Sequence, residues 1–301
     1  MIIATVIWGF AFVAQKAAIV LPAFAVGSLR SAIASVFITA IIPLTDRLTK
    51  NNRSLIKNKR PDITKKELIG GGVIGVILTV ASAFQQMGIE DTDAGKTAFI
   101  TALYVVLVPI FALFLGKKSS VNVWIAVPIA ILGFYFLCIK PGIGVEPSDL
   151  LVLMCAIIFA CHITAVDRLS EGCDGVRMSL VQFTVAFVLN TVLSLIFEKI
   201  PTGEAIIEAM PSLLFLGIGS SGIAYTLQIV GQKETEPAVA SIILSLESVF
   251  GVVGASFVLG EKMSGREYLG CAIVFCAVLI AQLEPRMLQK WLKVEEKVNN
   301  T

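Results

Sequence analysis

Charge is scarce in this chain. Lysine, arginine, aspartate and glutamate together make up 15% of 301 residues, against about 25% in ordinary soluble domains, which excludes a surface solvated on all sides by water. Histidine occurs once, as His162, and the six cysteines (Cys138, Cys155, Cys161, Cys173, Cys271, Cys276) form no C-x-x-C pair. A Cys/His metal site is excluded on those numbers, and the cysteines read as small core hydrophobes. A net charge of +2 is too small to indicate nucleic acid as a partner. The first apolar run begins at Met1 with no basic stretch ahead of it, so it reads as a retained helix rather than a cleaved signal peptide.

Apolar residues account for 56% of the sequence and the mean hydropathy is +0.86. The few charges gather into clusters separated by runs of about 20 apolar residues, the length that crosses a bilayer as a helix. No neighbouring segments alternate in polarity over about ten residues, which sets aside a transmembrane barrel. The expectation is an all-α integral membrane protein with ten spans, near 2–20, 26–44, 67–88, 95–115, 121–139, 149–166, 177–197, 211–231, 237–259 and 267–284. Arg47, Lys50, Arg53, Lys57, Lys59, Arg60, Lys65 and Lys66 crowd between the second and third runs. The loops on the same side and the tail add Lys117, Lys118, Arg168, Arg177, Lys233, Arg286, Lys290, Lys293 and Lys297. The opposite side holds only Lys96, Lys140, Lys199, Lys262 and Arg266. Cytoplasmic loops collect lysine and arginine, so both termini are expected in the cytoplasm of a plasma-membrane protein. Leu288, Trp291, Leu292 and Val298 alternate with lysines in the tail, which suits either a helix in the headgroup region or a plain solvated tail.

The chain also repeats itself. Sliding it along its own length places Ala94 on Ala238, Val105 on Val249, Val108 on Val252, Leu115-Gly116 on Leu259-Gly260, Lys118 on Lys262 and Pro141 on Pro285. One residue less of offset places Gln85 on Gln228 and Gly88 on Gly231. Repeats spanning 1–141 and 142–285, followed by a tail at 286–301, would each hold five spans. An odd number turns the second repeat upside down, the architecture in which many secondary transporters hold substrate at the midplane and alternate access.

Ser245 to Lys262 reads S-L-E-S-V-F-G-V-V-G-A-S-F-V-L-G-E-K. This segment resembles the L-E-P-V…L-G-E signature of EamA-type members of the drug/metabolite transporter superfamily. Val108-Pro109-Ile110-Phe111 and Leu115-Gly116 echo it in the first half, with Trp8-Gly9-Phe10, Lys16, Pro22 and Leu29-Arg30 as further matches. Ser248 stands where the family favours proline, and Lys117 where the first-half motif often has glutamate. The resemblance implies ten helices, a central cavity between two five-helix halves, and transport of amino acids or other small metabolites, frequently export.

Glu247 is the sharpest candidate residue, since a charge in mid-span costs on the order of 3 kcal/mol on insertion scales. It reads either as a proton-coupling or substrate-amine-binding carboxylate, or as a structural carboxyl bonded to Ser245, Ser248 or nearby backbone. Gln85 and Gln228, at equivalent repeat positions, suit substrate contact or interhelical bonding equally. Tyr225 shares a helix face with Gln228, and Thr101 with Tyr104, giving polar faces inside a bundle. Lys16 and Arg30 read as snorkelling anchors near the outer ends of their spans, with anion binding as the alternative. Trp8 reads as interfacial, and His162 as a candidate proton relay.

Two motifs mislead. Gly219-Ser220-Ser221-Gly222 matches the G-x-S-G of rhomboid-type membrane proteases, yet the only histidine precedes it by two spans and small residues packing helices account for the run. Gly95-Lys96-Thr97 ends like a phosphate-binding loop, but Glu90 occupies the first glycine's place and no strand precedes it. The sequence therefore points to a secondary transporter of a small molecule, with no catalytic residue, metal or cofactor. A membrane enzyme and a non-transporting channel or scaffold are the competing classes.

Overall fold

The computed structural model describes residues 1–52, 63–116, 119–138, 146–259 and 264–282, and these form helices joined by short turns, without a strand among the described residues. The chain runs through α1 (Ile2–Ala17), α2 (Ala23–Asn52), α3 (Lys65–Asp91), α4 (Ala94–Ala102), α5 (Tyr104–Phe114), α6 (Val121–Cys138), α7 (Pro147–Leu169) and α8 (Gly175–Phe197). It continues through α9 (Gly203–Leu214), a π-helical segment (Phe215–Ala224), α10 (Tyr225–Gln232), α11 (Pro237–Leu244), α12 (Leu246–Leu259) and α13 (Gly265–Gln282).

Seven helices are long and apolar enough to cross a membrane: Ala23–Arg47, Lys65–Asp91, Ala94–Phe114, Pro147–Leu169, Gly175–Phe197, Gly203–Gln232 and Pro237–Val258. Three shorter apolar helices, Ile2–Ala17, Val121–Gly133 and Tyr268–Ala281, stand where the first, fifth and tenth runs were expected. Three expected spans are not single α-helices. The fourth divides at Leu103, the ninth at Ser245, and the eighth contains the π-helical segment. The tail beyond Gln282 lies outside the described residues, as do Lys117 and Lys118.

The distribution of side chains is that of a protein with lipid outside. Phe114 is 84% exposed and Phe257 81%, values that a water-facing surface does not sustain over whole helices. Meanwhile Gln15, Arg30, Gln85, Gln182, Gln228, Gln232 and Glu247 are buried. Without water, each of these must find a partner within the bundle or line a wet cavity.

Helix ends are tied to other helices. Glu198, at the end of α8, accepts from the free N–H groups of Phe24 (2.7 Å) and Ala25 (2.9 Å) in the first turn of α2, where the helix dipole favours a carboxylate. Thr64 and Glu67 form a capping box on α3, and Glu67 also accepts from the Asp174 N–H at 2.7 Å. Arg177 forks onto Asp46 at 3.0 and 2.8 Å, joining α8 to α2. Close approach elsewhere relies on glycine: Gly71 and Gly75 in α3 meet Met178, Val181 and Gln182 of α8 with no room for a Cβ.

Candidate functional site

The site is built around the two interrupted helices. Leu103 joins α4 to α5 at φ −61°, ψ −12°, and Ser245 joins α11 to α12 at φ −63°, ψ −12°. Around Ser245 the hydroxyls of Ser241, Ser245 and Ser248 donate to the carbonyls of Ala238, Ile242 and Ser245, each at 2.8 Å. Such back-bonding competes with the helix ladder. Just past each interruption comes the polar residue that faces the other. The Tyr104 hydroxyl donates to Glu247 Oε1 at 3.1 Å, linking the first half of the sequence to the second at a buried position.

Around this bond lies a small cavity of about 40 Å³, room for water-sized molecules. Gln85 links two of its walls, accepting from Gln15 Nε2 at 3.0 Å and donating to Thr101 Oγ1 at 3.2 Å. Opposite, Gln228 donates to Gln232 at 2.8 Å, and Gln232 donates to the Ile163 carbonyl at 3.0 Å. Trp8 meets the Tyr225 ring edge-on, with centroids 4.6 Å apart. Arg30 donates from Nε to Ser221 (3.0 Å) and from Nη2 to Ser220 (3.1 Å). Phe12, Phe159, Ile163 and Leu244 supply the apolar lining.

The cavity thus gathers Trp8, Arg30, Gln85, Thr101, Tyr104, Tyr225, Gln228 and Glu247 from the residues that the sequence singled out. Ser245 sits in the helix break beside it. Two of the residues are elsewhere. The Lys16 ammonium donates to the carbonyls of Ile89 (2.8 Å), Glu90 (2.9 Å) and Thr92 (3.2 Å), so it seals the end of α3. His162 is fully buried, sharing a 3.1 Å hydrogen bond between Nε2 and Gln182 Oε1 and meeting the Tyr225 ring edge-on.

Three sequence readings change. Arg30 does not reach an interface: it is 6% exposed and held by two serines inside the bundle. Trp8 packs in the core rather than at a headgroup layer. Glu247 is bonded by Tyr104, while Ser245 and Ser248 spend their hydroxyls on backbone carbonyls. Sequence reasoning missed Gln15 and Ser220. Gln15 carried a legible signal, an amide inside an apolar run. Ser220 carried none, because its run read fully as helix packing, a role that Gly217 and Gly222 do play against Ile33 and Phe37. Among the described residues no group of three or more His, Cys, Asp or Glu could hold a metal ion.

The sequence model of the EamA-like transporter family matches residues 1–139 and again 147–282. The chain belongs to that family. A relative from Archaeoglobus fulgidus, described as an uncharacterized transporter, is 30% identical over 218 residues, covering 71% of this chain and 68% of its own length. The transporter YoaV of Bacillus subtilis, described in the same way, is 23% identical over 282 residues, covering 92% of this chain and 93% of its own. A solved crystal structure at 18% identity superposes with a TM-score of 0.72 over 95% of this chain and 96% of its own, a likeness of fold alone. This EamA-family protein is a multi-pass membrane transporter, not an enzyme, and its substrate is a small molecule.

Proposed function

We propose that this transporter moves small metabolites such as amino acids outward across the plasma membrane by alternating access. Two inverted halves, 1–141 and 142–285, rock about the cavity, with both termini and the 286–301 tail in the cytoplasm. The observation that carries the reading is the Tyr104–Glu247 bond, which joins the two halves between residues 143 apart, each just past a one-residue irregularity, at Leu103 and at Ser245, with the same backbone angles. Transporters built of inverted repeats hold substrate near the midplane, where the two halves meet.

The packing supports inversion. Helix α3 lies against α7 and α8 as the rod from α9 to α10 lies against α1 and α2. Helix α5 meets α7 as α12 meets α1, and α2–α8 and α6–α13 pair across the centre. The family model's two separate matches follow the same division. The three shorter apolar helices complete ten spans under this reading, since 16 to 18 residues reach about 24 to 27 Å.

Glu247 is the coupling carboxylate: it is protonated from outside and ionised toward the inside as the halves rock, so that substrate leaves in exchange for a proton entering down its gradient. The test is flux of a radiolabelled amino-acid and metabolite panel in proteoliposomes, with and without an imposed proton gradient. Wild type is expected to show saturable, gradient-dependent flux, and Glu247→Gln to retain flux without the gradient dependence. An unaltered pH and gradient profile in the variant removes the coupling role; no saturable flux for any panel member favours the scaffold reading instead.

A further inference from the structure

Arg30 stands in the cavity as a cation without a counter-charge. Among the described residues no carboxylate lies within salt-bridge distance of it, Glu247 included, and its protein partners are two neutral hydroxyls. A guanidinium out of water with neutral partners only is expensive unless something else neutralises it. The arrangement is nevertheless built rather than incidental. Consecutive serines reach one guanidinium from within the π-helical segment Phe215–Ala224, a winding that recurs at functional sites.

The serines occupy one edge of the planar fork, Nε and Nη2. The end-on edge, Nη1 with the second proton of Nη2, has no partner among the described residues. That edge matches the two oxygens of a carboxylate. The serines accept from Arg30, so their own protons remain to be donated, and Ser220 lines the cavity. Trp8, on the same cavity, has an Nε1–H that is buried without an acceptor. This wall offers donors and positive charge, while elsewhere on the cavity the Oε1 acceptors of Gln15 and Gln228 are buried without donors.

We infer that the missing acceptor is the substrate: the cavity takes small compounds bearing a carboxylate, which docks end-on on Arg30 with Ser220 as a further donor. This rests on the transport reading above and narrows it. A single cation calls for a single negative charge, which favours a carboxylate over a doubly charged phosphate ester. The aromatic and aliphatic side chains Phe12, Phe159, Ile163 and Leu244 take the apolar body. The substrate is then the counter-ion of Arg30, and its departure leaves the guanidinium unneutralised.

The experiment pairs each carboxylate in the flux panel with its primary amide, which keeps the shape and removes the charge, and adds a phosphate ester arm. Proteoliposome flux and ligand-dependent thermal stabilisation of the detergent-solubilised protein are both read in wild type, Arg30→Lys and Arg30→Gln. Acids are expected to be preferred over their amides by about 10- to 100-fold in wild type, the span of a hydrogen bond to a charged group. Arg30→Lys, which keeps the charge, retains a weakened preference and certifies the fold; Arg30→Gln loses it. Equal handling of acids and amides by wild type overturns the inference, as does an undiminished preference in Arg30→Gln, and a phosphate ester that outcompetes every acid overturns the carboxylate assignment. If nothing is transported, the transport mechanism falls while thermal stabilisation still decides the anion site: acid-over-amide stabilisation lost in Arg30→Gln upholds it, and its absence in wild type sinks it.

Discussion

Glu247 receives one hydrogen bond, from Tyr104, at a depth where no bulk water replaces it. Removing that donor leaves a buried acceptor short of its partner at about 1–3 kcal/mol. Tyr104→Phe is therefore expected to lower the melting temperature of the solubilised protein, and to do so far less in a Glu247→Gln background. A double-mutant cycle on melting measures the coupling, expected at about 0.5–3 kcal/mol for groups in contact; additive effects would show that the bond contributes nothing. Polar residues inside apolar runs are what a sequence displays best at this scale, so Glu247, Gln85, Tyr104, Tyr225 and Gln228 were legible. Which of them face one another was not, because Tyr104 meets Glu247 from a distant part of the chain. Arg30 was misread for the same reason: position along a helix suggests an interface, and only the partner helix reveals two serines waiting inside.

The elements owe their spacing to small residues. A Cβ added at Gly9 of α1 would stand 2.3 Å from Phe250 Cβ, 2.6 Å from the Phe250 carbonyl carbon and 2.7 Å from the Gly251 nitrogen of α12. Backbone cannot yield as a flexible side chain does, so Gly9→Ala forces the two helices apart at about 1–3 kcal/mol. Gly72 in α3 has nothing within 4 Å of its added Cβ, and Gly72→Ala is expected to be neutral or mildly stabilising because alanine holds a helix better by about 1 kcal/mol. Thermal melts of the two variants should move in different directions or by clearly different amounts, and a fall in both of equal size would refute the packing account. Helix existence was legible from run length and its breaks were not. Back-bonding serines around Ser245 look like any polar residues in an apolar run, and the π-helical winding at Phe215–Ala224 leaves no mark on the hydrophobic pattern.

For the whole molecule, orientation follows from charge asymmetry that the bundle itself does not display. Lys66 and Lys233 reach the carbonyls of Glu171 and Cys173, so the 170–174 turn lies with the lysine-rich end, while the 198–202 connection lies at the other end beside the start of α2. The positive-inside rule assigns the first end to the cytoplasm. Single cysteines placed in a cysteine-free background test this at exposed positions: Glu171→Cys and Lys199→Cys. A membrane-impermeant maleimide is expected to label Lys199→Cys in intact cells and Glu171→Cys only after permeabilisation. The reverse pattern inverts the transporter in the membrane. Labelling of both from outside would mean that α8, the one helix between them, does not cross the membrane, and would remove the inverted five-helix division with it. Orientation also fixes what the proposed export means physically: under that proposal the Arg30 wall loads from the side that carries the lysines and releases toward the side that holds Lys199.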